Sequence, residues 1–329
     1  MQHSRREFSA LLGGLLGALA LPAETAVLSP VGDFPNQPIR FISPFPPGGG
    51  NDFHMRLVSN ELTNVVGQSV VAENRGGAGG NIGTKYVAEA KADGYTVLTS
   101  QVSIMAVNPA LYTAPGFDPV KSFLPITQIN AAPLAIVVAA DSPLKTLADL
   151  RSASRSRSLT YATPGNGTLS HLLGVVLEKD AGIPLTHVPY RGAAPALVDV
   201  MGGQVNLMMT STSSVAGHVT QGKLRALAVS SARRVGVFKE TPTMEDQGFR
   251  DMSYDDWYGF FVPAGTPAER VAYLHEAITT VLKTPAISQK IVDAGGEVVA
   301  GTPQQLALQL QQDVARWGRV AKASGAKLD

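Results

Sequence analysis

Four times along this chain a candidate strand runs into a glycine-containing loop that opens a helix, at Pro47–Asp52, Gly76–Ile82, Thr163–Thr168 and Arg191–Pro195. That repeated junction constrains the fold more than any other feature. Strand, loop and helix in alternation argue for a mostly parallel sheet with helices on both faces. In open sheets of this kind ligands sit beyond the carboxyl ends of the strands. A helix N-terminus there offers unpaired N–H groups and a partial positive charge, and glycine lets the backbone come close. Such loops hold carboxylates or phosphates without a charged side chain. Each loop alone also reads as simple turn chemistry, with Asp52, Asn81 and Thr168 as caps of their own helices. Turns alone do not require four repetitions.

The junctions fall into two sets. The first follows strands Ile39–Phe45 and Ser69–Ala72, with helices over Asp52–Val66 and from about Ile82 to Lys91, and a third strand at Tyr95–Ser100. The second begins after Pro133, with strands at Leu134–Ala140, Leu159–Ala162, Thr186–Pro189, Asn206–Thr210 and Leu224–Ser230. Asp256–Val262 returns as a strand, and helices follow at about Pro267–Lys283 and Pro303–Ala323. Linkers are expected near Asn130–Pro133 and Asp246–Ser253. The expected division is a split first domain, 34–131 plus 250–329, and an inserted second domain, 132–249, with a cleft between them as in hinge-closing solute binders. A single larger α/β enzyme domain is the competing reading.

Composition narrows the chemistry. Lys and Arg number 27 against 26 Asp and Glu, so no nucleic acid or polyanion is expected as a partner. With no Cys, disulfides, zinc–thiolate sites, iron–sulfur clusters and thiol catalysis are excluded. There is no GxSxG, HExxH, GxxxxGK[ST] or EF-hand spacing. The GxGxxxG stretch at Gly77–Gly83 follows its strand too late for a dinucleotide turn, and the next strand ends in Ser100-Gln101 with no acid for a ribose. No cofactor, metal or catalytic residue is expected. The six His are isolated, and His171 reads as capping or packing rather than as a general base. Arg75 and Arg191 flank glycine loops, and structural pairing is the expected role of both.

At the N-terminus, Ser4-Arg5-Arg6-Glu7-Phe8 precedes a mild apolar run, Leu11–Leu21, and small residues follow. This is the pattern of an export signal of the twin-arginine type, spanning 1–26. The run is about 14 residues at most, against about 20 for a membrane span. Cleavage after Ala20, Ala23 or Ala26 is equally compatible. The expected location is the periplasm.

The ordered motifs resemble the substrate-binding receptors of tripartite tricarboxylate transporters, the Bug family. They are Gln37-Pro38-Ile39-Arg40, Pro44–Gly50 with Asp52 and Arg56, Val70–Arg75, Gly77–Gly80 and Gly83, Asp93–Thr96, Asn108-Pro109 and Leu111-Tyr112. They continue with His187–Gly192, Ala194–Ala196, Gly202-Gly203, Gly222–Val229, Pro242-Thr243, Trp257–Gly259 and Pro263–Pro267. The likeness runs from about Phe34 to the C-terminus. Gly76 departs from it, standing where the family usually has Pro, which loosens the unfolded loop.

The resemblance implies a two-lobed periplasmic binding protein of type II: two doubly wound mixed sheets joined by two crossover strands, with the ligand cleft between. It implies a monomeric, non-enzymatic receptor that closes on a small mono- or dicarboxylate and delivers it to the membrane permease subunits of a tripartite tricarboxylate transporter. Presentation of the ligand to a membrane sensor kinase is an alternative, and an exported α/β hydrolase a further one. The expected ligand contacts are Gly48, Gly49, Gly50, Asn51, Asp52, Gly79, Gly80 and Asn81 from the first lobe. The second lobe adds Thr163, Gly165, Asn166, Thr168, Gly192, Ala193 and Ala194. Ser100, Gln101 and Ser103 join Thr163–Thr168 as expected determinants of ligand choice, and Thr210–Ser213 is a weaker candidate. Gly49 is the position where an added side chain is expected to block the ligand.

Overall fold

The computed structural model describes residues 27–249, 253 and 255–324. The expected signal segment, 1–26, and part of the expected Asp246–Ser253 linker lie outside them.

The chain begins with β1 (Ile39–Ser43), α1 (Gly50–Val66), β2 (Val70–Asn74), α2 (Asn81–Ala88) and β3 (Thr96–Gln101). A buried π-helical turn, Ser103–Val107, and a short α3 (Asn108–Leu111) lead into β4 (Phe123–Ala139). Then come α4 (Leu147–Ser156), β5 (Thr160–Thr163), α5 (Leu169–Lys179), β6 (Thr186–Pro189), α6 (Ala193–Met201), β7 (Leu207–Ser211), α7 (Thr212–Thr220) and β8 (Leu224–Val229). The chain ends with β9 (Asp255–Pro263), α8 (Ala268–Leu282), α9 (Pro285–Asp293), β10 (Glu297–Val298) and α10 (Pro303–Ser324). No helix among the described residues is long and apolar enough to cross a membrane.

The strands follow the order β2-β1-β3-β9-β4-β7-β5-β6, with β8 and β10 also paired to β4. The outer pairs are parallel and the central ones antiparallel. The sheet is therefore mixed rather than mostly parallel. The reason lies in β4, a single 17-residue strand serving two sheets. Residues up to Pro133 pair with β9, and from Leu134 onward with β7 and then β8. Asn130–Pro133, expected as a linker, is thus inside a strand. Proline lacks an N–H for the ladder, and it sits where the strand changes partners. The result is two lobes that share β4.

Two apolar cores are confined to one lobe each, and a third, with Leu98, Leu134, Leu172 and Trp257, runs through both. Phe34, Phe41, Met55, Leu62, Phe260 and Ile278 centre one core, against which α1 and α8 pack. Val137, Ala162, Leu197, Met208 and Phe238 centre another, under α6 and α7. Helix α1 stops at Gly67, whose φ of 67° gives the left-handed C-cap. Helix α4 starts on a capping box, Thr146 with Asp149. Two helices had no clear sequence signal: α7, rich in Ser and Thr, and α9. Val215 and Ala216 of α7, and Ile287 and Ile291 of α9, are buried, so tertiary packing makes both helices.

Candidate functional site

The first-lobe rim is the loop from Pro46 into α1. Gly48 has a φ of 90°, which favours glycine. Helix α1 has Gly49 at its N-cap with no side-chain cap, and Asp52 stands in the first turn. Asp52 is buried and fully engaged: Oδ2 accepts from the Gly48 N–H at 3.1 Å, and Oδ1 accepts from Arg56 Nε and Asn74 Nδ2, each at 2.9 Å. Its carboxylate therefore folds the loop rather than facing a ligand. Nearby, Arg75 bonds Glu73 at 2.5 Å and lies over the Tyr86 ring at 3.8 Å, so its role is structural. Arg40, hydrogen-bonded to Glu73, is the main reason that the Glu73 carboxyl sits below the usual carboxylate range. Gly76 approaches Pro46 so closely that a Cβ there would lie 2.9 Å from its ring, so this glycine does more than loosen the chain.

The second-lobe rim is Thr163–Thr168, opening α5. Thr168 is the N-cap; its Oγ1 donates to Gly165 O at 2.8 Å and accepts from the His171 N–H at 3.3 Å. Thr163 Oγ1 meets His187 Nε2 at 2.7 Å, and the His187 ring stacks on His171 at 4.2 Å. Burial, with the neighbouring His171 adding to it, lowers His187 from 6.5 to about 3. Burial lowers His171 as well. Both are held neutral, as packing groups.

The two rims exchange hydrogen bonds across the cleft. The first N–H of α1, Gly50, donates to Ser214 Oγ of the second lobe at 3.0 Å. The first N–H of α5, Leu169, donates to Ser103 Oγ of the first lobe at 2.8 Å. Each of these two helix ends is thus served by a serine from the opposite lobe. Gly48 and Gly192 approach Ala194 and Pro46 across the same gap. The lobes are closed on one another.

Between them lies a small cavity of about 30 Å³, partly open to solvent. Seven of the expected contacts line it: Gly49, Gly50, Asn51, Gln101, Thr168, Gly192 and Ala193. Gly79, Gly80, Gly165 and Asn166 line an adjoining cavity toward Tyr112 and Arg191. Gly48 and Asp52 face a third, on the outer side of α1. The remaining expected contacts are not in these walls. Asn81 Oδ1 accepts from Asn108 Nδ2 at 2.7 Å, Ser103 and Thr163 are bonded as above, Ala194 touches Gly48, and Ser100 is fully buried.

Of the floor, only Thr210–Ser213 was expected, as a weaker candidate, and β9 was not. Asp256 and Tyr258 of β9 line the main cavity, with Thr210, Ser211 and Ser214 from the end of β7 and the start of α7. Burial, with the Asp256 carboxyl adding to it, pushes the Tyr258 hydroxyl far above its ordinary value. The ring stacks on His54 at 4.3 Å. His54 Nδ1 lies 2.6 Å from Gly50 O and Nε2 3.0 Å from Asn130 Nδ2, so one nitrogen donates and the other accepts. Burial lowers His54 from 6.5 to about 4, and the ring is neutral. The floor sets Gly49 and Gly50 apart. A Cβ there would be an ordinary 3.8 Å from Ala193, whereas at Gly50 it would lie 2.4 Å from the Tyr258 hydroxyl and 2.6 Å from Ser213 Oγ. A side chain at Gly50 would press on the floor, while Gly49 has room for one at the edge of the cavity. The sequence signal that pointed to the floor was the pair Asp255-Asp256 at the head of an apolar strand, which alternation must turn partly inward.

No group of three or more His, Cys, Asp or Glu that could hold a metal occurs among the described residues. No Lys or Arg lines this small central cavity, and Arg191 lines the wider adjoining one. What the site offers is backbone N–H groups, hydroxyls, amides and one carboxyl.

Residues 54–326 match the family described as TctC, the tripartite tricarboxylate transporter family receptor. The protein BugT of Bordetella pertussis is 32% identical over 320 residues, covering 95% of this chain and 98% of its own. Among solved structures, the periplasmic binding protein BugD superposes with a TM-score of 0.85 at 33% identity, covering 89% of this chain and 99% of that one. R. palustris Rpa4515 with adipate gives a TM-score of 0.86 at 33% identity, covering 90% and 100%.

Proposed function

This chain belongs to the tripartite tricarboxylate transporter receptor family, and from that premise we propose that it captures a small organic carboxylate by closing its two lobes and hands it to a membrane permease pair. The observation that carries the reading is the exchange across the cleft. The N-termini of α1 and α5 enter one cavity from opposite lobes, at Gly50 and Leu169, with serine hydroxyls as their partners and no cation in the wall. Two helix ends supply positive potential enough for a carboxylate without a Lys or Arg. A related structure was solved with adipate. Here the acid would displace or bridge Ser103 and Ser214, with water filling the remaining reach.

In this reading the lobes are 34–131 with 250–329, and 132–249, hinged where β4 changes partners. The rim contacts are Gly49–Asn51, Thr168, Gly192 and Ala193, with Gln101 below. Binding that favours the closed form shifts the population the permease reads. The chain is a receptor and not a catalyst, and it reaches the periplasm on the signal at Arg5-Arg6.

A thermal-shift screen of the mature protein against carboxylic acids of two to eight carbons, sugars and divalent cations tests this. At least one acid should raise the melting temperature in a concentration-dependent way. Stabilisation only by a sugar or a cation would refute the carboxylate assignment.

A further inference from the structure

The cleft floor holds a carboxyl group with an oxygen that nothing in the protein uses. Asp256 is 2% exposed and lines the main cavity together with Gly50 and Thr168. The carboxyl takes hydrogen bonds from the Tyr258 hydroxyl and the Val102 N–H, yet its Oδ1 has no partner. Asn51, 2% exposed in the same wall, likewise has an unpartnered Oδ1. A buried polar atom without a partner costs stability unless something supplies one. Two acceptors in one cavity call for a donor.

The charges around Asp256 decide which donor. Asp255 precedes it on β9, and Asp313 approaches from α10, where it accepts from Trp257 Nε1 at 2.7 Å and from Gln309 Nε2 at 2.8 Å. His54, from α1, is neutral on both nitrogens and reaches the site only through its stack on Tyr258. Arg233 and Arg316 act on Asp255 and do not line the cavity, and Arg233 pairs with Glu297. Arg56 and Lys290 face the separate cavity outside α1. The end of the cavity at Asp256 is thus electronegative, while the helix-end rims are electropositive.

We propose that Asp256 receives an ammonium group, so that the ligand class of this receptor is an amino-substituted carboxylate, held by its carboxylate at the helix ends and by its ammonium at the floor. This rests on the reading that the cleft takes a carboxylate. The closed cleft removes water from Asp256, and burial, the largest influence, holds its carboxyl well above the usual range. A cation arriving with the ligand restores the charged form. A plain dicarboxylate brings a second like charge to the same cavity and forces the carboxyl to take up a proton before the lobes shut.

The test is titration calorimetry at pH 7 with matched acids that differ only by an ammonium: succinate against aspartate, glutarate against glutamate, propionate against β-alanine, and butyrate against 4-aminobutyrate. In at least one pair the amino member should bind about tenfold tighter or more. Asp256→Asn should bind the amino member more weakly and the plain dicarboxylate at least as tightly as wild type does, so that the preference disappears. Asp256→Ser repeats the comparison should the amide variant fold poorly, and the wild-type pairs stand by themselves. If the plain acid binds as tightly in every pair, or if the preference survives both substitutions, Asp256 is not an ammonium site while the carboxylate reading stands. If no acid of either kind binds, both fall.

Discussion

The rim and the floor of the cleft are built by different means. The rim is loop and helix end: glycines with positive φ at Gly48 and Gly192, and backbone N–H groups at Gly50 and Leu169 that reach across to serines of the other lobe. The floor is strand: β9 presents Asp256 and Tyr258 upward from a fully paired ladder, with His54 wedged beneath. On the proposal made above, a rim of main-chain donors takes the carboxylate with little regard for the rest of the molecule. The floor of fixed, buried side chains then selects that remainder, so that general affinity and particular selectivity fall to separate parts of the molecule.

The sharpest way to break this contrast is to titrate the floor. His54 is neutral in the fold because burial lowers it from 6.5 to about 4. Between those values the unfolded chain binds a proton that the folded one does not. Stability therefore falls as pH drops from about 6.5 to about 4, by on the order of 3 kcal/mol from this group. His171 and His187, also lowered, act in the same direction. Denaturant midpoints of wild type and His54→Gln at pH 7 and pH 4.5 measure the part owed to the floor. The variant should lose less stability than wild type over that interval, and equal losses would remove His54 from the account.

A smaller effect probes where rim and floor meet. Gly50→Ala drives a Cβ against the Tyr258 hydroxyl and Ser213 Oγ. Overpacking of this kind costs about 1–3 kcal/mol, visible as a melting temperature several degrees lower. Gly49→Ala, with only an ordinary contact to Ala193, should stay within about 0.5 kcal/mol of wild type. Equal behaviour of the two would mean that the floor does not press on the rim. Smaller again is Ser103→Ala, which takes away the acceptor of the Leu169 N–H. It should cost about 1 kcal/mol of closed-state stability, or roughly fivefold in ligand affinity by calorimetry. No change would show that the crossing bond is not part of closure.

The rim was legible in the sequence and the β9 part of the floor was not, for a physical reason. Glycine after a strand and a small polar residue at a helix start are local signals, because the backbone itself demands them. So Gly49–Asn51, Thr168, Gly192 and Ala193, which the sequence singles out, line the cavity. Asp52 shows the limit of that reading: it stands at the right place, but its carboxylate is spent on Gly48, Arg56 and Asn74. Asp256 and Tyr258 are marked locally by no more than the Asp255-Asp256 pair at the head of an apolar strand. Their position depends on β9 pairing with both β3 and β4, contacts made across more than a hundred residues. The same distance hid the continuity of β4, where Pro133 reads as a break locally and is a change of partner in three dimensions. Helices α7 and α9 were missed because packing, not propensity, makes them.

The most direct measurement is native mass spectrometry of the protein exported in its own host and purified without exogenous ligand, with the co-purifying molecule released and identified. A small acid, carrying at least one carboxylate and leaving the protein on unfolding, is the predicted result. A sugar, a polyamine or a metal ion in its place would contradict the assignment of this cleft to a carboxylate.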